Sequence, residues 1–209
     1  MPRYLTRDGL ADHLAALSGG ARWVTAVAGA PASGKSTLAE RLAVALESRG
    51  AGPAAVLPMD GFHLDDGVLE TRGWRARKGA PHTFDVAGFD HLLARVAANT
   101  EDEIAVPVFD RSLELARAGA RIIGRDVRHV IVEGNYLLLD EPHWAPLRRH
   151  FDVTVALHVP LAILSDRLSD RWADLSPTVR QLKIEANDLP NARLVTDKSV
   201  AAQIVIEDA

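Results

Sequence analysis

Residues Gly29-Ala30-Pro31-Ala32-Ser33-Gly34-Lys35-Ser36 constrain this chain more than any other stretch. They read G-x-x-x-x-G-K-S, a spacing whose loop amides can cradle phosphates. The short run Val24–Ala28 before them is apolar and rich in small and β-branched residues, as a buried strand is. After them, Ser36–Arg49 sets Leu38, Leu42, Ala45 and Leu46 on one helical face, and Gly50 closes it. Strand, glycine loop and helix in that order distinguish a phosphate site from a chance glycine turn.

The residue types follow from the charge they must hold. Successive backbone N–H groups in a tight loop form an anion-binding concavity, and a helix beginning near Lys35 adds unpaired N–H groups and the positive end of its dipole. Gly29 and Gly34 permit backbone angles and close approaches that a Cβ forbids. Lys35 can set a point charge on the β- and γ-phosphates, and the Ser36 hydroxyl can ligate Mg²⁺. Gly29 through Thr37, that is Gly29, Ala30, Pro31, Ala32, Ser33, Gly34, Lys35, Ser36 and Thr37, is therefore the expected ATP-binding segment.

Bulk properties narrow the class. The 209 residues favour one domain, spanning 1–209, and 47% hydrophobic with 25% charged residues is ordinary for a globular protein. A net charge of −4 supplies no general footprint for nucleic acid. Cysteine is absent, which excludes disulfides and thiolate chemistry. The N-terminus lacks an apolar signal core and no apolar run approaches the ~18 residues of a membrane span. A cytoplasmic enzyme that binds no membrane is expected.

Along the chain, Thr6–Leu17 carries Leu10, His13, Leu14 and Leu17 on one stripe and ends at Ser18-Gly19-Gly20, an amphipathic helix. Ala54–Pro58 reads as a second strand ending in Met59-Asp60. An acid at the carboxyl end of a parallel strand sits on the rim where α/β sheets bind ligands. Asp60 is accordingly a candidate base for a substrate hydroxyl, or else a helix cap. Leu64–Ala80 is polar and loop-like, able to fold over a polar substrate or to form a solvated face. Val86–Ala98 is a helix capped by Asp85, with Phe89, Leu92, Leu93 and Val96 inward. Ile104–Phe109 is an edge strand or extended segment, since Pro107 argues against a central one, and Ala120–Ile123 is its candidate hairpin partner. Arg111 follows, free to read a phosphate or to pair with an Asp. Val130–Glu133 is an apolar strand ending in an acid, placed to hold Mg²⁺ directly or through water, or simply to cap a loop. Phe151–Val159 is a further strand, closed by Pro160. The helix Leu161–Trp172 sets Arg167 and Arg171 on one face, as lid arginines or as solvated ones. Pro177–Ala186 is another helix, broken by Asn187–Ala192. A loop Arg193–Val200 borders the adenine, and Ile204–Ile206 forms a last strand.

Together these pieces resemble the uridine kinase, phosphoribulokinase and bacterial pantothenate kinase group of P-loop kinases, from about Trp23 to Ile206. Met59-Asp60-Gly61-Phe62 is similar to the strand-end element of pantothenate kinases. Arg77-Lys78-Gly79-Ala80-Pro81-His82-Thr83-Phe84-Asp85 is similar to their K-G-x-P-x-x-[FY]-D segment, and Val132-Glu133-Gly134 to the shared strand end. Pro107–Ser112, Glu133–Leu139 and Asn187-Asp188-x-Pro190-Asn191-Ala192 resemble fructose transport system kinases, which are fructokinase-like.

The resemblance implies a three-layer α/β fold of the P-loop NTPase type, with a mainly parallel sheet of about five strands and helices on both faces. It implies Asp60 as base, Lys35 and Ser36 as phosphate and metal contacts, Glu133 as the second acid and Arg171 as a lid arginine. His63, Arg77, Phe84, Arg111 and Tyr136 are the candidate substrate contacts, within a substrate-side segment 63–85 and its neighbours, under a lid formed by 161–186. The expected activity is MgATP-dependent phosphorylation of a small polar metabolite, a fructose-like sugar, with a nucleoside or pantothenate as alternatives. A nucleotide-binding regulator or transport-coupled ATPase is the alternative of another class. A homodimer is expected only by analogy with related kinases.

Overall fold

The computed structural model describes residues 1–17, 20 and 22–207. In order, these form β1 (Arg3–Tyr4), α1 (Arg7–Ala15), β2 (Trp23–Gly29), α2 (Lys35–Ser48), β3 (Ala54–Pro58), α3 (Asp66–Thr71) and α4 (Val86–Ala98). Then come β4 (Glu103–Asp110), β5 (Leu115–Gly124), β6 (His129–Gly134), β7 (Val153–His158), α5 (Leu161–Arg171), α6 (Pro177–Lys183), α7 (Leu189–Lys198) and β8 (Ile204–Glu207).

Six strands make one parallel sheet in the order β1-β8-β7-β2-β6-β3. The two central strands, β2 and β6, are buried at every position but Trp23. That is why they read as near-continuous apolar runs: a parallel sheet is covered on both faces and cannot alternate with polar residues. On one face, Leu10 and Leu14 of α1 and Leu38, Leu42 and Leu46 of α2 pack on Val27, Ile131, Val155 and Ile204. On the other, Phe89, Leu93 and Val96 of α4 join Leu57, Val130, Val132, Tyr136 and Trp144. The result is the three-layer α/β architecture, with five full strands and the two-residue β1 added at an edge.

Local chemistry explains the element ends. Thr6 Oγ1 accepts from the Gly9 amide at 3.0 Å and starts α1, and Asp85 Oδ1 accepts from Gly88 at 2.9 Å and starts α4. Ser18 and Gly19, read as the stop signal of the first helix, lie outside the described residues.

Two expectations are corrected and one is met. The segment Leu64–Ala80 is not all loop: Asp65 accepts from the Gly67 amide and caps the short helix α3. The strand at Ile104–Phe109 is an edge strand paired with the expected 120–123 partner. It belongs to a separate antiparallel hairpin, β4 with β5, and Pro107 sits at the register shift between Val106 and Val108, where the ladder tolerates a missing N–H. Finally, Asn187–Ala192 does not break the chain out of helix. A π turn over Ile184–Asp188 leads directly into α7, whose second residue is Pro190. Residues 193–198, read as part of a loop, are therefore helical.

One residue without a readable signal ties the hairpin to the body. Buried Arg22 donates to the carbonyls of Val127 (3.0 Å), Val96 (3.0 Å) and Gly124 (2.6 Å). It joins the end of α4, the end of β5 and the approach to β6.

Candidate active site

The phosphate loop lies between the end of β2 and the start of α2. Gly34 has φ 88°, and Ala32 also takes a left-handed φ of 62°. A Cβ on Gly29 would stand 2.7 Å from Ser33 Oγ and 3.3 Å from Leu157 Cβ, so only glycine permits the loop to close here. No side chain caps the α2 N-terminus and its first turn holds no acid. The first amides of α2 thus remain open to an anion.

Against this loop the sheet brings two acids. In register, Glu133 of β6 stands between Val27 of β2 and Pro58 of β3, so its side chain leaves the sheet beside the loop. Glu133 is 6% exposed. Burial pushes its carboxyl above the usual range, Lys35 opposes that, Asp60 adds to it, and a hydrogen bond with the Ser36 side chain lowers it again. Burial correspondingly lowers the Lys35 ammonium, while Glu133 and Asp60 pull it back up. Lys35, Ser36, Glu133 and Asp60 therefore share one electrostatic neighbourhood.

Two glycines make that neighbourhood possible. A Cβ on Gly134 would be 2.5 Å from Met59 Cβ, and one on Gly61 would overlap the Pro107 carbonyl. The tight turn Met59–Phe62 carrying Asp60 can therefore wedge between the end of β6 and the hairpin strand β4.

The donor set fits Mg²⁺. Ser36 hydroxyl and Glu133 carboxylate are hard oxygens in contact, and the buried carboxylate is only partly compensated by Lys35. Among the described residues no group of three or more His, Cys, Asp or Glu could cage a metal. One or two protein oxygens completed by phosphate and water is how Mg²⁺ is held on nucleotides.

Arginines ring the opening. Arg111, in the turn joining β4 to β5, approaches Asp60 Oδ2 at 3.2 Å. That turn is set by Asp110 Oδ1, which accepts from the Ser112 amide and hydroxyl at 3.0 and 2.6 Å. The Asp pair expected as one alternative for Arg111 is thus formed. From α5, Arg167 donates to the Ser33 carbonyl of the phosphate loop at 3.4 Å. Arg171, one turn on, feels the charges of Arg111, Asp188 and Asp60. Arg167 thus touches the loop, and Arg171 lies within electrostatic reach of Lys35.

The 63–85 segment begins against Asp60. His63 Nδ1 is 2.8 Å from the Asp60 carbonyl, and its ring lies between Phe84 (4.1 Å) and Phe109 (4.7 Å). Burial lowers its pKa, which keeps the ring neutral. Two of the expected substrate contacts are redirected. Tyr136 is fully buried, packs on Phe84 and Trp144, and donates its hydroxyl to the Gly79 carbonyl at 2.6 Å. Phe84 is enclosed by His63, Tyr136 and Trp144. Both are packed interior side chains.

A polar relay around Lys78 escaped sequence reasoning. Lys78 Nζ donates to Asp66 Oδ1 (2.7 Å) and the Glu114 carbonyl (2.5 Å). Asn187 Nδ2 donates to the Lys78 carbonyl at 2.8 Å, and Trp172 Nε1 to Asp188 Oδ2 at 2.7 Å. Asn187 thereby fastens the turn after α6 to the segment around Lys78. The Asn187-Asp188-x-Pro190-Asn191 pattern was the available signal, but it names no geometry.

On the other side of the loop lies a largely apolar cavity of about 930 Å³. Gly29, Ala30, Val159, Pro160, Thr196 and Val200 are among its walls. It begins at the phosphate loop and runs past the carboxyl end of β7, the rim where parallel sheets take ligands. Residues of the 193–200 segment do border it, though from the end of a helix. No helix among the described residues is long and apolar enough to cross a membrane.

Comparison with known proteins gives the following. No family model matches the chain. It is 34% identical over 189 residues to the uncharacterized Escherichia coli K12 protein YggC, covering 89% of this chain and 78% of that one. It is 31% identical over 195 residues to a Schizosaccharomyces pombe protein provisionally named a uridine kinase, covering 89% and 83%. Among solved structures, it superimposes with a TM-score of 0.89 and 42% identity on a Silicibacter sp. TM1040 protein provisionally described as a fructose transport system kinase, covering 96% and 98%.

Proposed function

This chain belongs to the P-loop kinases and is an ATP-dependent small-molecule phosphotransferase, and from that premise we propose that it transfers the γ-phosphoryl group of MgATP to a hydroxyl of a small sugar-like metabolite. The observation that carries the reading is the convergence of Lys35, Ser36, Glu133 and Asp60 beside the phosphate loop.

In this reading the adenosine end lies in the apolar cavity and the phosphates on the loop amides. Lys35 neutralises the β- and γ-phosphates. Ser36 and Glu133 would hold Mg²⁺, which when bound would screen the phosphate charge. Asp60 accepts the proton of the acceptor hydroxyl as its oxygen bonds to the γ-phosphorus and the bond to the ADP oxygen breaks. Arg167 and Arg171 cover the transferring group, and Arg111 orients Asp60 until the acceptor enters. The lid excludes water, which keeps transfer ahead of hydrolysis.

The sugar-like acceptor is favoured over a nucleoside on one observation. A stacking base needs an open aromatic face, and Phe84 and Tyr136 are 6% and 0% exposed. The provisional name of the Silicibacter relative points the same way. The test is ADP release by purified protein with MgATP, alone and with separate pools of sugars, nucleosides and pantothenate. Release that requires a sugar-pool member supports the proposal. Release independent of every pool would support an ATPase instead and overturn it.

A further inference from the structure

Lys78 ties the substrate-side segment to the β4–β5 hairpin. Its side chain is 9% exposed. Nζ donates to Asp66 Oδ1 at 2.7 Å and to the Glu114 carbonyl at 2.5 Å. It also lies 3.7 Å from the Glu114 carboxylate and 5.1 Å from the centre of the Phe109 ring. The residue before it goes elsewhere: Arg77 Nη2 donates to Asn191 Oδ1 at 3.3 Å.

The hairpin end needs such a grip. Leu113 and Leu115 are 60% and 38% exposed, so its apolar side chains face solvent and do not anchor it. Glu114 takes a left-handed φ of 54°, a state that a non-glycine residue keeps only where its surroundings fix it. The residue so strained is the one whose carbonyl Lys78 takes. Phe109 and Glu114 flank Arg111 in the chain, so Lys78 holds the backbone on both sides of that arginine.

Three contacts run from this part of the hairpin to Asp60. The Pro107 carbonyl lies against Gly61, the residue after Asp60, so closely that a Cβ there would overlap it. The Phe109 ring packs at 4.7 Å on His63, whose Nδ1 is 2.8 Å from the Asp60 carbonyl. Arg111 Nη2 donates to Asp60 Oδ2 at 3.2 Å. The first two set the backbone around Asp60 and the third sets its carboxylate. An arginine side chain is long and flexible, so its hold on one oxygen depends on where the turn's backbone is kept. A base acts only from a defined position, and a misplacement of about 1 Å can cost roughly 10²-fold in rate.

We propose that Lys78 is a positioning residue for phosphoryl transfer: by gripping the hairpin on both sides of Arg111 it keeps Arg111 on Asp60 Oδ2 and leaves Oδ1 to the acceptor hydroxyl. This rests on the kinase reading above. Lys78 itself touches neither nucleotide nor acceptor and acts through Arg111.

The test has two arms. Hydrogen exchange of the full chain without ligands, followed by mass spectrometry, reads the grip. Lys78→Met should speed exchange over residues 110–115 roughly 10- to 100-fold, the loss of charge-assisted hydrogen bonds, and leave β2 and β6 as protected as before. Unchanged exchange overturns the inference. The second arm is ADP release at saturating MgATP with fructose, ribose and glycerol, using whichever of the three turns over fastest. Lys78→Met should lower kcat roughly 10- to 100-fold with KM for ATP unchanged, and Lys78→Arg should recover part of it. Arg111→Ala should lose a similar amount and the double variant no more, because the two residues act as one unit. Additive losses would make Lys78 a general support of the fold and overturn the inference, as would parental turnover in Lys78→Met; either result leaves the kinase reading standing. Should Lys78→Met fail to fold, Lys78→Gln takes its place, a neutral donor too short to reach Asp66 and Glu114 together. Parent ADP release that none of the three acceptors stimulates counts against the kinase reading, and the inference falls with it.

Discussion

Replacing Asp60 by Asn separates the chemistry of this site from its stability. In the folded protein Asp60 has one direct partner, Arg111 at 3.2 Å, with the two side chains 26% and 60% exposed. An ion pair that open to solvent contributes under about 1 kcal/mol. For a domain of this size 1 kcal/mol is about 2–4 °C in Tm, so Asp60→Asn should melt within a few degrees of the parent. Asn keeps the shape of the side chain and so does not disturb the packing of Gly61 on Pro107. It also removes a negative charge facing the γ-phosphate position, so ATP affinity should hold or tighten. Turnover has no such protection. Loss of a positioned base costs about 10²–10⁴ in rate, roughly 2.7–5.4 kcal/mol of transition-state stabilisation at 1.36 kcal/mol per tenfold. The assay is coupled ADP release at saturating ATP and acceptor, with nucleotide affinity from calorimetry and Tm from thermal melts. A variant that binds ATP, melts normally and turns over within about threefold of the parent removes Asp60 from the role. A variant that loses turnover and also melts far lower assigns it to the scaffold.

Lys35→Ala should lose nucleotide affinity while remaining folded, because its buried ammonium is the only chain cation set against Glu133 inside the loop; calorimetry showing unchanged ATP binding refutes the loop assignment. Tyr136→Phe should lower Tm by roughly 2–8 °C, because the Gly79 carbonyl loses a 2.6 Å partner worth about 1–2 kcal/mol; acceptor KM should change little, and an unchanged Tm with a raised KM would restore Tyr136 as a substrate contact. Burial pushes the Glu133 carboxyl above its ordinary 4.5. The folded protein then binds a proton more readily than the unfolded chain, so without ligands stability should fall as pH rises from 4.5 through the displaced value. Glu133→Gln should flatten that dependence in thermal melts, and an unaltered slope would place its origin elsewhere.

Much of this molecule was legible in the chain. Val86–Ala98 and Ala54–Pro58 form where their patterns place them, because a helix stripe and a buried strand write their periods locally. The loop 29–36 could be read because each residue type answers a local need of a bound phosphate. What misled was chemistry settled at a distance. Pro190 resembles a breaker, yet Asn187 and Asn191 bond back across the site and carry the backbone through a π turn. Tyr136 resembles a ligand contact until its hydroxyl is found on Gly79.

The amino-acid order by itself settled the sheet's apolar strands, the phosphate loop and the acids at two strand tips, since these depend on neighbours a few positions away. Only the folded molecule decided which groups meet: that Asp60 and Glu133 share Lys35, that Gly61 and Gly134 leave room for the turn between them, and that Arg77 reaches Asn191. Those facts join residues up to 114 positions apart, and electrostatic and steric contacts at such separations leave no periodic trace in the chain.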